Sequence, residues 1–489
     1  MNKSWISINN IAMNSARSAT IYNLIPYILW TSLCVNLLVL FLIPSESYFW
    51  LEGEFLRINR FTILLWGTVS FFGSIVSTYA LNYFKSNVQR NRFLYLCLSF
   101  TLSVMFFAAS ENLILLIFGW YLMGKIMSNI IGLDKNWEDA KSAKRITTYY
   151  FLGSATFLAL GVLLPCFHIK AYNLTDLIQS VGLLPNYLLL ISSGCIMASA
   201  LIQSAIVPFH KWLLSAMTAP TPGSALMHAG FVNGSGIVLT LFAPLLIKSN
   251  TLIILFIVGG LTAILAQFTK LIQVNLKHRL ACSTIAQMGF MVMQCGLGFF
   301  NAAIAHLILH GFYKANLFLS SSEEIEKSNP KAPPKIIIKW PQALLVLIFS
   351  LIGAYAFVNW TGKGMNADSG IFLTLIVLIT VGQITYNIVK QHIFTVFQKI
   401  VLPPLLFLSG IGLYSLLYIG ISKIMMGSGL LESSGPLSSV HIIFGVFFLL
   451  GFFLMKLGIY RNSNWLYTKL MNASQPHKKT ILMHTNLKQ

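Results

Sequence analysis

Apolar runs of about 20 residues recur along the whole chain, and no polar stretch between them is long enough to fold as a domain of its own. Each run has the length that crosses the hydrocarbon layer as a helix. About 14 are present, near 21–43, 61–84, 93–109, 112–131, 146–165, 187–206, 222–247, 251–273, 280–299, 301–320, 340–359, 369–389, 400–420 and 440–460. The fold class they predict is an all-α polytopic membrane protein, one transmembrane domain over residues 1–489. Composition excludes the other classes. Of the residues, 56% are apolar and 9% charged, where a soluble domain carries about 25% charged residues, and the mean hydropathy is +0.74. A soluble enzyme, a disordered chain and a disulfide scaffold do not have these proportions. The six cysteines form no CxxC pair and sit in or beside apolar runs, so they read as small core residues. Residues 1–20 are polar, and the following run is too long for a signal-peptide core, so no cleavable signal is expected.

Charge distribution orients the chain. The sequence has 33 Lys+Arg against 13 Asp+Glu. With the N-terminus, the loops after even-numbered spans and the tail on one side, that side holds 23 of the basic residues and the other holds six. Basic residues accumulate in cytoplasmic loops, so both termini, including a basic tail over 461–489, are expected in the cytoplasm. The same rule accounts for the net charge of +20 without invoking nucleic acid. Only one carboxylate, Glu111, touches the end of a span, and none lies mid-membrane. A paired-carboxylate hydrolase site and a carboxylate proton relay are therefore absent. Any polar path must use His, Lys, Gln, Ser, Thr and water.

Ionisable groups at membrane depth are expensive and mark functional candidates. His306, His310 and Lys314 are spaced i, i+4, i+8 and share one helix face. Imidazoles exchange protons near neutral pH, so the row reads either as a proton or cation file or as interhelical hydrogen-bond anchors. On the preceding helix, Ser283, Gln287 and Gln294 fall on one side. They line a wet path or serve as polar glue. Pro208, Pro220, Pro222 and Gly223 interrupt the apolar runs that carry Gln203, His210, Ser224 and His228, in the manner of a transporter's broken helix. Ser224, His228 and Ser235 fall on one stripe of a regular helix, and His228 reads as a path residue or a satisfied core histidine. Lys125 lies inside the fourth run near its cytoplasmic end, where a path residue and a snorkelling lysine look alike. Pro403-Pro404 suggests a second broken helix.

The strings SAIVPFHKWLLSAMTAPTPGSALMHAG and LIQVNLKHRLACSTIAQMGFMVMQCGLGFFNAAIAHLILHGFYKANLFLSS resemble the proton-conducting antiporter-like subunits of respiratory complex I and of Mrp-type sodium/proton antiporters. Within that superfamily they are most similar to the DabB family, over an antiporter-like core of roughly 105–320. The resemblance implies two inverted five-helix repeats with discontinuous helices. It carries His228, Lys277, His306, His310 and Lys314 over as family positions. Where complex I subunits have a Trp-Glu pair the chain reads Trp120-Tyr121, and where they have a broken-helix lysine it has Gln203. The family further implies a large soluble partner, DabA, with carbonic-anhydrase-like zinc chemistry. The present chain would supply the ion path, hold no cofactor of its own and not itself be an enzyme. Its setting would be a bacterial inner membrane, with the partner at the cytoplasmic face. The expected function is proton or sodium entry coupled to carbon dioxide hydration and bicarbonate accumulation. The alternatives are a proton-translocating subunit of a complex I- or Mrp-type assembly, and a scaffold that conducts nothing.

Overall fold

The computed structural model describes residues 22–42, 49–52, 54–85, 89–321, 340–364, 368–391, 393–425, 437–457 and 463–480. In a bilayer every backbone polar group needs an internal partner, and the helix supplies it within one segment. The apolar runs accordingly become α1 (Ile25–Leu42), α2 (Arg60–Tyr83), α3 (Gln89–Ala109), α4 (Leu113–Ile131), α5 (Glu138–Ile169) and, after the short α6 (Leu174–Gln179), α7 (Asn186–Gln203). A discontinuous stretch follows: α8 (Lys211–Ser215), α9 (Thr221–Leu226), α10 (Gly234–Leu241) and α11 (Ala243–Lys248). Long helices then resume with α12 (Leu252–Ile272), α13 (Leu276–Gly296), α14 (Phe300–Ser320), α15 (Trp340–Thr361), α16 (Gly370–Val389), α17 (Val396–Met425) and α18 (Ser439–Leu457), and α19 (Asn464–Ala473) is the last.

Among the described residues, 11 helices are long and apolar enough to cross a membrane, counting Thr221–Leu241 as one. Thirteen of the 14 expected runs each fall on one helix, and the run 222–247 spans α9, a π-helical turn at Met227–Phe231, α10 and α11. α13 and α14 are as long as their neighbours but carry the polar residues from which a path would be built, and α18 is apolar over Ser439–Gly451. The chain is a multi-pass, all-α membrane protein. A two-stranded antiparallel ribbon, Phe49–Glu52 with Arg57–Asn59, links α1 to α2.

Local chemistry sets the helix starts. Asn59 caps α2 by accepting from Thr62 N at 2.8 Å, and Asn112 caps α4 by accepting from Ile114 N at 3.0 Å. Beside that cap, Glu111 pairs with Arg57 Nε at 3.1 Å and accepts from Thr175 N at 2.8 Å. The carboxylate at the end of the fourth run is therefore a clamp joining the ribbon, α4 and α6. α12 and α13 cross so closely that a Cβ on Gly289 would lie 2.7 Å from the Ala263 nitrogen. Only small residues allow this backbone approach, which dispersion then stabilises.

Two expectations are corrected. Pro403 and Pro404 do not break a helix: α17 runs through them from Val396 to Met425. The pair lies inside the helix, about two turns from its start, where it removes two successive backbone donors while the turns on either side carry the helix on. Ser235 does not continue the stripe of Ser224 and His228. A π-helical turn at Met227–Phe231 changes the helix phase between them, and Ser235 instead hydrogen-bonds Ser204.

Candidate functional site

α14 places His306, His310 and Lys314 along its length, each about one turn from the next as their spacing predicts. The two imidazoles lie parallel, 12° apart in plane, with ring centres 6.2 Å apart. Neither nitrogen of His310 has a hydrogen-bond partner among the described residues, and His306 Nε2 has none. Lys314 is fully buried and donates from Nζ to the Leu280 carbonyl of α13 at 3.1 Å.

The π-helical turn brings in the fourth group. His228 is fully buried, stacks on Phe318 of α14 with centres 4.3 Å apart, and leaves both ring nitrogens unpartnered. It lies within electrostatic reach of both His310 and Lys314. Gly311 makes this approach possible. A Cβ there would sit 3.0 Å from the Ala229 carbonyl and 2.5 Å from the Phe72 ring. Asn233 ties the same turn to α14, donating to the Ala229 carbonyl at 2.7 Å and the Leu307 carbonyl at 3.3 Å. Buried imidazoles without partners are unstable in a dry interior, which makes this row a natural place for water.

The interruption after α7 occupies residues 204–220. Gln203 closes α7, buried, with its Nε2 unpartnered. Pro208 lies within the interruption, Pro220 caps α9, and Pro222 and Gly223 occupy its first turn. Ser224 Oγ donates to the Ala219 carbonyl at 3.3 Å, and Lys277 Nζ donates to the same carbonyl at 3.0 Å. Ser224 and Lys277 therefore clamp the connector from two helices rather than joining the row. Gln287 is half-buried on α13, and Ser283 and Gln294 are buried there. Lys125 is not brought to the row: it is exposed on α4, as snorkelling requires. On the same helix Tyr121 is exposed, while Trp120 is buried and donates to Ser154 Oγ at 3.0 Å.

The structure adds residues that the sequence did not single out. Asn233 and Gly311 set the contact between turn and row. Lys270 of α12 lies within electrostatic reach of Lys314. A lysine inside an apolar run was the available signal for it, and its proximity to Lys314 depends on how α12 packs. Among the described residues, no group of three or more His, Cys, Asp or Glu is arranged to hold a metal ion.

A family model for the transmembrane region of NADH:quinone oxidoreductase/Mrp antiporters matches residues 110–337. A probable inorganic carbon transporter subunit DabB1 of Halothiobacillus neapolitanus is 34% identical over 265 residues, covering 52% of this chain and 47% of the relative. A probable inorganic carbon transporter subunit DabB of Bacillus anthracis is 33% identical, covering 62% and 60%. An NADH-quinone oxidoreductase subunit L of Rickettsia typhi is 29% identical, covering 65% and 52%. The chain thus spans 47–60% of the length of these relatives. A solved Mrp complex from Dietzia sp. shares the fold, with a TM-score of 0.53 at 18% identity over 96% of this chain and 52% of that one. Over residues 110–337 the chain is similar to the transmembrane region of the NADH:quinone oxidoreductase/Mrp antiporters, and over 52–62% of its length it is similar to the subunits named DabB.

Proposed function

We propose that this chain is the cation-conducting membrane subunit of a two-component inorganic-carbon transporter. The observation that carries the reading is the buried row of His306, His310 and Lys314 with His228 against it, in a chain whose relatives are named inorganic carbon transporter subunits. Two imidazoles with no hydrogen-bond partner among the described residues, a third with an unpartnered Nε2, and a buried ammonium are costly in a membrane. They are the groups a water-filled proton or sodium path would need. Passage of the cation would be coupled to carbon dioxide hydration by a soluble DabA-like zinc subunit, where metal-bound hydroxide is the nucleophile. In this reading that partner docks on the basic cytoplasmic face, with both termini on the same side of a bacterial inner membrane.

A second reading, a proton-translocating subunit of a complex I- or Mrp-type assembly, is favoured by the likeness to the Mrp complex and to subunit L. Tyr121 and Gln203, at the positions where complex I subunits carry an ionisable pair, weigh against it. Two measurements test the proposal. Replacing His310 by Ala should abolish bicarbonate accumulation in cells, and unchanged uptake would remove the row from the mechanism. Purification in mild detergent with mass spectrometry and zinc analysis should recover one large zinc-bearing partner. Recovery of a ladder of quinone-reducing or antiporter subunits would establish the second reading instead.

A further inference from the structure

The last helix and the turn after it lie across the interruption after α7. α19 buries Leu466, Leu470 and Met471 against Leu265, Phe268 and Ile272 of α12. From there the chain continues along the interruption as a series of paired polar groups. His210 Nε2 meets the Ala473 carbonyl at 2.9 Å, and Gln273 Nε2 donates to the Ser474 carbonyl at 2.7 Å. Ser215 Oγ accepts from His477 N at 2.9 Å and pairs with Thr480 Oγ1 at 3.0 Å. Ser474 and Thr480 are buried by this docking. These contacts join residues 201–265 positions apart in sequence.

Under the docked segment lies a narrow cleft, with room for about one water molecule, whose lining includes His210, Thr269, Cys282 and Ala473. The carbonyl of Leu280, two residues from Cys282, is the one that receives Lys314 Nζ. Cys282 itself lies within electrostatic reach of both Lys314 and Lys270. His210 is 8% exposed and its Nδ1 has no partner among the described residues. One wall of the cleft is therefore the α13 segment that holds the last group of the buried row, and Ala473 closes the cleft from the side of the tail.

We propose that residues 464–480 are a strap closing the mouth through which a hydrated cation reaches Lys314, and that the path opens when the strap leaves the interruption. The proposal rests on reading the histidine–lysine row as a cation path. Its structural half, that the strap covers the cleft, can be tested without any transport.

The cover is read by native Cys282, which is 1% exposed in the cleft wall. A water-soluble maleimide is applied to vesicles with the C-terminal side outward, and Cys282→Ser identifies the signal among the six cysteines. The wild-type thiol should react slowly. In the Gln273→Ala/Ser215→Ala variant, which removes three strap hydrogen bonds, it should react about tenfold faster or more. Equal rates in the two proteins would overturn the cover.

The gate is read by flux. In the Ser215→Cys/Thr480→Cys variant, oxidation should lock the strap, because the native oxygens are 3.0 Å apart. Failure of this disulfide to form, with both single-cysteine variants as controls, would also overturn the docking. Locked protein in proteoliposomes should show a large fall in cation flux that a reductant restores. Flux equal in the locked and reduced forms, with wild type conducting, would overturn the gate. An absence of flux in every form, wild type included, would overturn the conduction reading on which the gate depends, while the Cys282 rates still decide the cover.

Discussion

Lys277 and Ala219 are 58 residues apart, yet the Lys277 ammonium donates to the Ala219 carbonyl at 3.0 Å. The first turn of α13 thereby holds the connector that leads into the π-helical turn and His228. Replacing Lys277 by Met should lower stability by about 1–3 kcal/mol, the scale of a hydrogen bond made by a charged group together with the acceptor it leaves unpaired. Thermal unfolding in detergent checks this, and Lys277→Arg should recover most of the loss. A Met variant as stable as wild type would show that the bond is not holding the connector.

At Gly311 an added methyl group has no room between the Phe72 ring and the Ala229 carbonyl. Gly311→Ala should overpack the contact between the π-helical turn and α14, at a cost of about 1–3 kcal/mol. Because the displaced element carries His228, cation flux should fall together with the unfolding temperature. A stable, fully active Gly311→Ala protein would contradict the close approach.

Stability and function should part company at Lys314. Its ammonium is fully buried with a carbonyl as the hydrogen-bond acceptor recorded for it, and a charge in that setting is costly. Lys314→Met keeps the volume and removes the charge. Its unfolding temperature should equal or exceed wild type, while flux should drop by about a hundredfold, the scale at which a positioned proton carrier contributes. Undiminished flux in a well-folded Met variant would make Lys314 a packing residue.

For Arg57 and Glu111 the outcome depends on whether one partner or both are replaced. Glu111→Gln alone removes the carboxylate paired with a largely buried guanidinium and should destabilise by about 3 kcal/mol. The Arg57→Met/Glu111→Leu double variant should regain much of that loss, since an apolar pair of similar volume replaces a buried ion pair without a large penalty. Unfolding temperatures of the single and double variants decide it.

Strap docking should depend on pH through His477. Burial, followed by the charges of Lys211 from the interruption and Lys479 from its own turn, holds the imidazole below its ordinary value of 6.5. The docked strap therefore favours the neutral ring. Docking is complete above pH 6.5 and weakens as the pH falls below it, because the released strap then binds the proton more readily. Maleimide labelling of Cys282, corrected for the reagent's own pH dependence, should quicken below pH 6.5 in wild type and quicken less in His477→Gln, where His210 against the Ala473 carbonyl is the imidazole left at the contact.

The helices and the row of α14 were readable because they depend on local periods: about 20 apolar residues for a span, and i, i+4, i+8 for one face. The interruption after α7 was equally local, written in Pro208, Pro220 and Pro222. Long-range packing was not readable. Nothing near Ser215 in sequence announces Thr480, and nothing near Lys314 announces Lys270. Lys125 and Lys314 are both lysines within apolar runs, and only the surrounding helices make one exposed and the other buried. Pro403-Pro404 misled for a related reason, because a proline pair inside a long helix removes backbone donors without obliging the chain to stop. The π-helical turn at Met227–Phe231 has no composition signal, and it moved Ser235 off the expected stripe.

The parallel rings of His306 and His310 have one more consequence. With centres 6.2 Å apart, no nitrogen of one ring can hydrogen-bond directly to the other. With the rings so placed, a proton passing from one imidazole to the other crosses on a water molecule, by breaking and making O–H and N–H bonds in turn. Transport of that kind slows when deuterium oxide replaces ordinary water, whereas a sodium ion passing the same rings breaks no such bond. The solvent isotope effect on flux therefore distinguishes the two cations.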